Sequence, residues 1–512
     1  MGSFRRQLYQ GVSEAQLLVG MFIACIAYSI AMASIGWSHT LLDRHGFRQT
    51  QTAISTYFML RGGPWLTYET PVLGAPWAIP LEFPLYQWTV ALLVRTFATP
   101  LDQTGRFVSE VFFYGTLVPT YLLLGRLGVR PHRRLIFLSL LLVSPQYVFW
   151  SRCFLIESTA LFCGMWYLAL TVGFRGRKRR LEVGAAILFG ALAATVKLTT
   201  FLPFVLAALL FVVHIWWQTG MARFSQKGLV RLVLSVLLLV AVPALCGMFW
   251  ARYADSVRVQ NPLAGFITSG SVSAVYFGTL AQRVSRGLWI TLLWRTVPDV
   301  VGHSVVVLLG AALLVVSRRP LHLFLLCAVL FLVAPLTFTN VYVIHDYYAF
   351  ANGVFLIAAI GWCVVGLLEC EGTLRWVGMV LLISTIGVSM WRHVVSFVPV
   401  QRGNVERNLD IAQVLQRVTR PDDVILILGL DWNPELPYYA RRRALMNREG
   451  KPPEDAAMRR AMASLRDYHL GAMVVCFGAR GQRQLVEQWV QVAGVLPAPQ
   501  RATGCDIYTR TM

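Results

Sequence analysis

The residues best suited to chemistry gather in one polar stretch close to the N-terminus. The stretch holds three carboxylates, one histidine and two arginines, namely Asp43, Glu69, Glu82, His45, Arg44 and Arg48. A carboxylate can accept the proton of an attacking hydroxyl group, and cations can stabilise the charge on a departing phosphate. The residue types therefore predict a transfer reaction between a phosphate compound and a hydroxyl, although solvated loop residues that cap helices can have the same composition.

The composition indicates that most of the chain lies in a membrane. Of the 512 residues 56% are hydrophobic and 14% are charged, and the mean hydropathy is +0.58. Soluble domains carry about 25% charged residues, so membrane lipids must surround much of this chain. The net charge of +21 does not indicate a nucleic-acid partner, because the basic residues cluster in short links between apolar runs, where they act as topology signals.

Apolar runs long enough to span a bilayer predict about eleven spans. The first run, Gln16–Trp37, follows Arg5 and Arg6, and its length favours a retained span with a cytoplasmic N-terminus over a signal peptide. The other runs lie near 107–125, 135–150, 155–173, 182–197, 199–216, 229–249, 300–317, 321–338, 349–368 and 375–391. The run Tyr86–Thr99 is too short to span and is predicted to be an interfacial or re-entrant helix.

Charged links predict the orientation. Four links are strongly basic, at Arg126–Arg134, Arg175–Arg180, Arg223–Arg231 and Arg318–Arg319, and the links that alternate with them hold almost no Lys or Arg. The positive-inside rule assigns the basic links to the cytoplasm. Residues 1–399 are then a domain of the cell inner membrane whose long loops, 38–106 and 250–298, face outward together with the C-terminal tail. We expect the chemistry on that outer face.

Residues 400–512 have the composition of an extracytoplasmic soluble domain. Strand candidates are Asp423–Leu430, Gly471–Gly478 and Cys505–Arg510, and helical stretches are Pro453–Tyr468 and Gly481–Ala493. Cys476 and Cys505 can pair if the tail faces an oxidising compartment, but sequence does not fix the pairing. The predicted fold class is thus a polytopic α-helical membrane protein with a C-terminal soluble α/β domain.

The order of short motifs resembles the GT-C superfamily of glycosyltransferases, in particular bacterial relatives of protein O-mannosyltransferases and lipid A aminoarabinose transferases. The motifs are, in chain order, Gly62-Gly-Pro-Trp65, Glu82-Phe-Pro-Leu-Tyr86, Arg106, Ser151-Arg-Cys-Phe-Leu-Ile-Glu157, Lys197 and His345-Asp-Tyr-Tyr348. They extend over most of the membrane domain and share its predicted outer side.

This resemblance implies a membrane enzyme that transfers a hexose or a pentose from a polyprenyl-phosphate donor to a hydroxyl acceptor. Transfer on the outer face would invert the anomeric carbon. The resemblance specifies neither the sugar nor the acceptor. It leaves a divalent metal ion open as a cofactor and implies no nucleotide cofactor.

The resemblance also assigns roles to individual residues. Glu82 matches an acidic position beside the donor phosphate that binds a divalent metal in some relatives, and Glu157 matches an acidic position at the outer start of the fourth span. Glu157 also suits the dipole at a helix N-terminus, and Lys197 can instead snorkel to the interface. The expected donor-phosphate residues are Arg48, Arg106, Lys197 and Arg286, with Arg283 beside the last, and the expected pocket residues are His45, His345, Tyr347 and Tyr348.

The first loop departs from the family at one position. Relatives present an acidic residue where this chain has Gln51, within Arg48-Gln-Thr-Gln51-Thr52. An amide is not a useful proton acceptor, so Asp43, Glu82 or Glu157 must serve as the base, or transferase activity has been lost. We expect Asp43 first, because it lies just beyond the first span.

Other interpretations remain for the tail and for the whole chain. Asp431, Trp432 and Asn433 either contact glycan or form a helix N-cap with a packed aromatic ring, and Arg441–Arg443 can contact lipid headgroups. A transporter or flippase of lipid-linked sugars would also be polytopic, but it would favour charges near mid-membrane and internal repeats. A GT-C-like protein without catalysis is the third possibility.

Overall fold

The computed structural model describes residues 13–173, 179–218, 224–302 and 318–510. The expected span 300–317 and the basic residues Arg5, Arg6 and Arg175–Arg180 lie wholly or largely outside the described residues. Every other expected span coincides with helical structure.

Apolar helices form the described part of the membrane domain. Six are long and apolar enough to cross a membrane: Glu14–Ala33, Leu101–Arg126, Leu198–Trp217, Gln226–Arg258, Asp346–Leu368 and Thr373–Ser396. The other apolar helices in this part of the chain are Pro131–Val143, Pro145–Trp150, Glu157–Gly173, Arg179–Val196 and Arg318–Thr337. The chain is therefore a multi-pass helical membrane protein.

The helix Ala349–Leu368 is the centre of the bundle. It is hydrophobic all round and buried along nearly its whole length, as is typical of a helix enclosed by other helices. By contrast, Thr373–Ser396 exposes a row of large apolar side chains, including Val380, Ile383 and Trp391, that suits contact with lipid.

The first long loop contains two helices. Gly46–Leu60 carries the polar motif, and Leu85–Phe97 corresponds to the run expected to be interfacial or re-entrant. The second helix has 13 residues and is about 20 Å long, which is less than the roughly 30 Å of a bilayer's hydrocarbon core. It cannot cross the membrane alone, in agreement with its exclusion from the spans.

The second region, residues 250–298, is more ordered than the expected loop. The helix Val242–Arg258 extends well into it, and the helix Arg286–Val301 closes it. Between them lie a 3-10 turn, Ala264–Ile267, and two short helices, Ser273–Phe277 and Leu280–Val284.

The tail is a small α/β unit with a mixed sheet. Its strands are β1 (Val424–Leu428), β2 (Arg443–Asn447), β3 (Leu470–Cys476), β4 (Gln500–Ala502) and β5 (Cys505–Thr509), in the order β2-β1-β3-β5-β4. β1 is parallel to β2 and β3, whereas β5 is antiparallel to β3 and β4. The helices are Leu409–Val418, Glu435–Ala440, Ala456–Ala463 and Arg483–Ala493. The three predicted strands and both predicted helices are confirmed, but sequence did not predict β2 and β4.

The first loop completes one edge of this sheet. The Gly74 amide donates to the Ala444 carbonyl (3.0 Å), and the Ala444 amide donates to the Pro71 carbonyl (2.9 Å). Beside these bonds, the Arg443 guanidinium donates to the Glu69 carboxylate at 2.9 and 3.1 Å. The exposed amides of a sheet edge are thereby paired, and the tail is docked on the loop.

A second contact ties the tail to the membrane helices. The hydroxyl groups of Tyr438 and Tyr439 both donate to the carboxylate of Asp102, in the first turn of Leu101–Gly115. The Tyr439 hydroxyl also accepts from the Leu41 amide at 2.7 Å. One tyrosine thus joins the tail, the first loop and a helix of the bundle.

A disulfide bond joins Cys476 and Cys505, which face each other in the pairing of β3 with β5. The pairing that sequence left open is therefore formed in this structure. It cross-links the last residue of β3 to the first residue of β5.

Replacement of Tyr439 by Phe tests the docking contact. It leaves the buried Leu41 amide without its acceptor and removes one bond to Asp102, so the free energy of unfolding should fall by about 1–3 kcal/mol. Thermal or denaturant unfolding of the purified protein measures the change. Tyr468→Phe is the matched control, because Tyr468 is an exposed tyrosine of the same domain. Equal stability of the two variants would contradict the proposed role of Tyr439.

Candidate active site

Two ion pairs lie side by side where the first loop meets the helices. Arg48 pairs with Glu82, and Lys197 pairs with Glu157. Lys197 also interacts electrostatically with Arg48 and Glu82, so the four groups form one cluster. The first pair is partly open, with side chains 18% and 24% exposed, whereas the second is enclosed, with 3% and 2%. A charge that is buried in a low-dielectric environment needs a partner of opposite sign.

Aromatic rings cover the cluster. The Lys197 ammonium lies 3.9 Å from the ring centre of Tyr348 and 5.0 Å from that of Tyr347. The His345 ring is stacked on Tyr348 at 5.7 Å and tilted against Tyr347 at 5.2 Å. Residues of the motif His345-Asp-Tyr-Tyr348 are therefore in contact with Lys197, and their role in a pocket stays a prediction.

The backbone around Glu82 is held from three directions. The Tyr68 hydroxyl donates to the Glu82 carbonyl (2.9 Å) and accepts from the Leu81 amide (2.7 Å). The Phe83 amide donates to the Thr195 carbonyl at 3.2 Å, and the indole of Trp250 donates to the Leu81 carbonyl at 3.2 Å. The carboxylate is thus presented to Arg48 by a fixed segment.

Local helix ends position the second pair. Lys197 stands between the helices Arg179–Val196 and Leu198–Trp217, with an extended φ of −157° that interrupts the helical path. Glu157 begins the helix Glu157–Gly173, where the dipole favours a negative charge. The break between two helices at Lys197 and the start of a third helix at Glu157 bring these two side chains together.

His45 and Asp346 form a separate contact next to this cluster. The Nε2 atom of His45 lies 2.9 Å from Asp346 Oδ1, and Arg44 approaches the other oxygen at 3.6 Å. The His45 ring is 5.0 Å from that of Tyr347. His45 is therefore adjacent to the predicted pocket, and residues 345–348 link the two groups.

Asp43 is enclosed instead of facing the cluster. One oxygen accepts from the Gln49 amide, and the other is 3.2 Å from Arg152. The side chains are 6% and 0% exposed. Gln49 also accepts from the Phe154 amide at 3.0 Å. In this geometry Asp43 fixes the first loop to residues 152–154, and its predicted role as the base remains a prediction.

The other predicted phosphate residues lie outside the cluster. Arg106 is fully buried and donates to the carbonyls of His39 (3.2 Å) and Thr40 (2.9 Å). Arg286 is exposed in the first turn of Arg286–Val301. Arg283 donates to the Phe277 carbonyl at 2.9 Å. In this structure Arg106 and Arg283 therefore support backbone, while Arg48 and Lys197 are the cations brought together.

Sequence reasoning missed Tyr276 and Arg152. Tyr276, in the short helix Ser273–Phe277, interacts with Glu82 and Arg48, and burial together with the Glu82 charge raises the pKa of its hydroxyl. Arg152 lies within the motif Ser151–Glu157, and only its buried pair with Asp43 distinguishes it. Neither residue is recognisable from local pattern, because each is defined by a partner distant in sequence.

The tail residues make protein contacts near the start of Glu435–Ala440, with a packed aromatic ring as expected, although the N-cap of that helix is Pro434 and not Asp431, Trp432 or Asn433. Asn433 Oδ1 accepts from the Glu435 amide at 3.0 Å, and Trp432 packs edge-on against Phe47 (5.0 Å) and Phe266 (5.3 Å). Asp431 pairs with Arg448. Lipid contact does not hold for Arg442 and Arg443, because Arg442 is buried against Thr419 and Arg443 binds Glu69.

Solved structures with this architecture are glycosyltransferases of the GT-C fold. ArnT of Cupriavidus metallidurans, bound to undecaprenyl phosphate, superposes with a TM-score of 0.60 at 13% identity, over 96% of this chain and 98% of that one. The oligosaccharyltransferase AglB of Archaeoglobus fulgidus, in complex with an inhibitory peptide and a dolichol-phosphate, superposes with a TM-score of 0.54 at 9% identity. The match covers 97% of this chain and 74% of that one.

A third similar structure is the arabinofuranosyltransferase AftD from Mycobacteria, with a TM-score of 0.50 at 13% identity, over 96% of this chain and 40% of that one. No protein-family model matches the sequence, and no curated protein matches it.

The similarity to these three solved structures shows that the chain has the GT-C fold, as its motifs indicated.

The residues present do not fit a divalent metal at Glu82. Another structure of the Archaeoglobus enzyme is a complex with zinc and sulfate. Here one Glu82 oxygen is bound to Arg48, and the neighbouring position is the amide Gln51 in place of a carboxylate. Within the described ranges, no group of three or more His, Cys, Asp or Glu side chains could hold a metal ion. Hard cations prefer several oxygen ligands, which this donor set lacks.

Asp43→Ala tests the enclosed contact. It leaves the Arg152 guanidinium buried without a counter-charge, so we expect the free energy of unfolding to fall by about 3–5 kcal/mol. Denaturant titration in detergent measures the loss. Asp467→Ala, at an exposed carboxylate of the tail, is the control. The double variant Asp43→Ala/Arg152→Met removes both charges and should regain part of the stability, and a further loss in the double variant would argue against the pairing.

Proposed function

We propose that this protein is a glycosyltransferase that moves a hexosyl or pentosyl group from a polyprenyl-phosphate donor to a hydroxyl acceptor, with inversion. The observation that carries the proposal is the cluster of Arg48, Glu82, Glu157 and Lys197 between the first loop and the helix ends. It combines cations for a phosphate with carboxylates for a hydroxyl proton at one point of a membrane protein.

A donor with a lipid tail suits this location. Lys197 precedes the apolar helix Leu198–Trp217, so a phosphate near its ammonium would leave the polyprenyl chain free to lie along lipid-facing helices. Arg48, with two guanidinium nitrogens directed at Gln51 and Glu82, is the second cation within reach. The undecaprenyl phosphate bound to ArnT and the dolichol-phosphate bound to AglB support the same donor class for this chain.

Glu82 is the base in this proposal. Its carboxylate is about a quarter exposed, and one oxygen is held by Arg48. Asp43 has both oxygens occupied and Glu157 is enclosed with Lys197, so neither is as accessible to an acceptor. A base must lie within hydrogen-bond reach of the proton it removes.

The reaction then balances as a single displacement. Glu82 takes the proton of the acceptor hydroxyl, and the acceptor oxygen forms a bond to the anomeric carbon from the face opposite the phosphate. The bond between that carbon and the phosphate oxygen breaks, and its electron pair leaves with polyprenyl phosphate. Arg48 and Lys197 stabilise the charge that develops on this leaving group.

Sidedness and topology are part of the proposal. We infer about eleven spans, a cytoplasmic N-terminus, a membrane domain of residues 1–399 and an outer domain of residues 400–512 in a cell inner membrane. The Cys476–Cys505 disulfide supports an oxidising compartment for the tail, since such bonds are rare in the cytosol. Direct packing of the first loop on the tail supports a common side for both.

Transfer from a radiolabelled undecaprenyl-phosphate sugar to membrane acceptors tests the activity. We expect Glu82→Gln to lower the rate by on the order of 10²–10⁴-fold, because the amide cannot take the proton. Glu449→Gln changes an exposed carboxylate of the tail and is the control that should retain the wild-type rate. Full activity of Glu82→Gln would show that Glu82 is not the base. If the labelled sugar lipid only moves between leaflets and no acceptor is labelled, the protein is a transporter and not a transferase.

Reporter fusions test the orientation. Alkaline phosphatase fused after the tail should be active, because it folds only where disulfides form, and the same reporter within Arg126–Arg134 should be inactive. Enzyme activity of both fusions in intact cells measures the result. The reverse pattern would overturn the assigned sidedness.

A further inference from the structure

Three buried polar atoms around Tyr347 and Tyr348 have no hydrogen-bond partner among the residues that the structure describes. They are Gln51 Nε2, Glu157 Oε2 and His345 Nδ1. Buried polar atoms in folded proteins are paired in the large majority of cases, so a local group of unpaired ones needs a physical reason. A ligand that supplies the missing partners is such a reason.

The three residues are related through the same two cations, Arg48 and Lys197. Gln51 binds Arg48, Glu157 binds Lys197, and His345 interacts electrostatically with both of these cations. They come from separate parts of the chain: the helix Gly46–Leu60, the start of Glu157–Gly173, and the residue after Thr339–Ile344. Convergence of distant segments on one point is typical of a binding site.

The direction of each missing bond can be assigned. Gln51 Oε1 accepts from Arg48, and a guanidinium only donates, so the amide orientation is fixed and Nε2 can only donate. The Glu157 carboxylate can only accept. Burial and the neighbouring cations lower the pKa of His345 to about 3, so near neutral pH its ring is uncharged and can donate at one nitrogen and accept at the other.

A ligand that pairs both atoms accepts a hydrogen bond from Gln51 and donates one to Glu157. Hydroxyl groups do both. An ionised phosphate accepts but does not donate, and a polyprenyl chain does neither. A sugar ring carries several hydroxyls on adjacent carbons, and its apolar face can pack on aromatic rings such as those of Tyr347 and Tyr348.

We propose that Gln51, Glu157 and His345 form a subsite that binds the transferred sugar through its hydroxyl groups. The inference rests on the proposed function, since it assigns the sugar end of the donor. The sugar position that meets Gln51 carries an oxygen and not an ammonium group, because an ammonium has no lone pair to accept the amide hydrogen. Gln51 is then a sugar-reading residue at the position where relatives carry an acid.

Binding of two matched lipids tests the subsite. Undecaprenyl phosphate and a panel of undecaprenyl-phosphate hexoses and pentoses are titrated into the full-length protein in detergent, and affinity is measured by native mass spectrometry. We expect the wild type to prefer a sugar-bearing lipid. Gln51→Leu should weaken binding of the sugar-bearing lipid by roughly three- to tenfold relative to undecaprenyl phosphate, the loss of one hydrogen bond, because any effect transmitted through Arg48 is common to both lipids.

The control is Gln401→Leu, which removes another buried glutamine that donates to the Met32 carbonyl away from the cluster. It should leave both affinities at wild-type values. A parallel loss for both lipids in Gln51→Leu, or no loss for either, would overturn the subsite. Equal wild-type affinity for all lipids would overturn the subsite alone, whereas no binding of any of them would overturn the proposed donor class as well.

A hydroxyl-deleted probe sharpens the assignment. A site built to bind a hydroxyl rejects the analogue that lacks it, so one deoxy sugar of the preferred lipid should bind the wild type more weakly. The same deletion should not lower the affinity of the Gln51→Leu variant further, because this variant already lacks the amide that binds the hydroxyl. A deoxy penalty that is identical in both proteins at every position would contradict contact between Gln51 and the sugar.

Discussion

A charge buried beside a lipid bilayer needs a partner of opposite sign, and this requirement determines how the polar parts of the molecule are arranged. Asp43 with Arg152, Glu82 with Arg48 and Glu157 with Lys197 each join segments that are distant along the chain. The first pair fixes the loop, and the other two create the cluster. Because each of these three carboxylates already has a cation, the donor phosphate of the proposed reaction would share Arg48 and Lys197 with Glu82 and Glu157.

The degree of exposure separates the functions of the pairs. The enclosed Asp43–Arg152 pair behaves as a structural cross-link, whereas the half-open Arg48–Glu82 pair can exchange partners with a substrate. The Lys197–Glu157 pair is as enclosed as Asp43–Arg152, but it differs from that pair because one Glu157 oxygen has no partner in the described part of the chain. Exposure therefore separates Glu82 from the other two carboxylates in a way that residue type alone does not.

Much of the architecture was predictable, since long apolar runs and alternating strands leave strong local patterns. Helices occur at the expected runs that the structure describes, β1 and β5 lie within the predicted strands, and β3 begins one residue before the predicted one. The strand β2 was missed because its sequence, RALMN, is short, and because its first residue Arg443 and the preceding Arg442 have partners distant in sequence, Glu69 and Thr419. Arg106 was predicted beside the donor phosphate, but the structure shows it buried on loop carbonyls. Contacts between distant residues have no signature in a local window.

The bonds between residues 71–74 and β2 also determine when the molecule can become complete. The loop is synthesised before its partner strand, and most of the described membrane helices lie between the two in sequence, so these helices are made before the loop and the strand can meet. Contacts of such long sequence separation form slowly. Until β2 is made, the backbone groups of residues 71–74 that bond to it have no partner from this chain. Formation of this contact therefore depends on the order of synthesis as well as on the strength of the bonds.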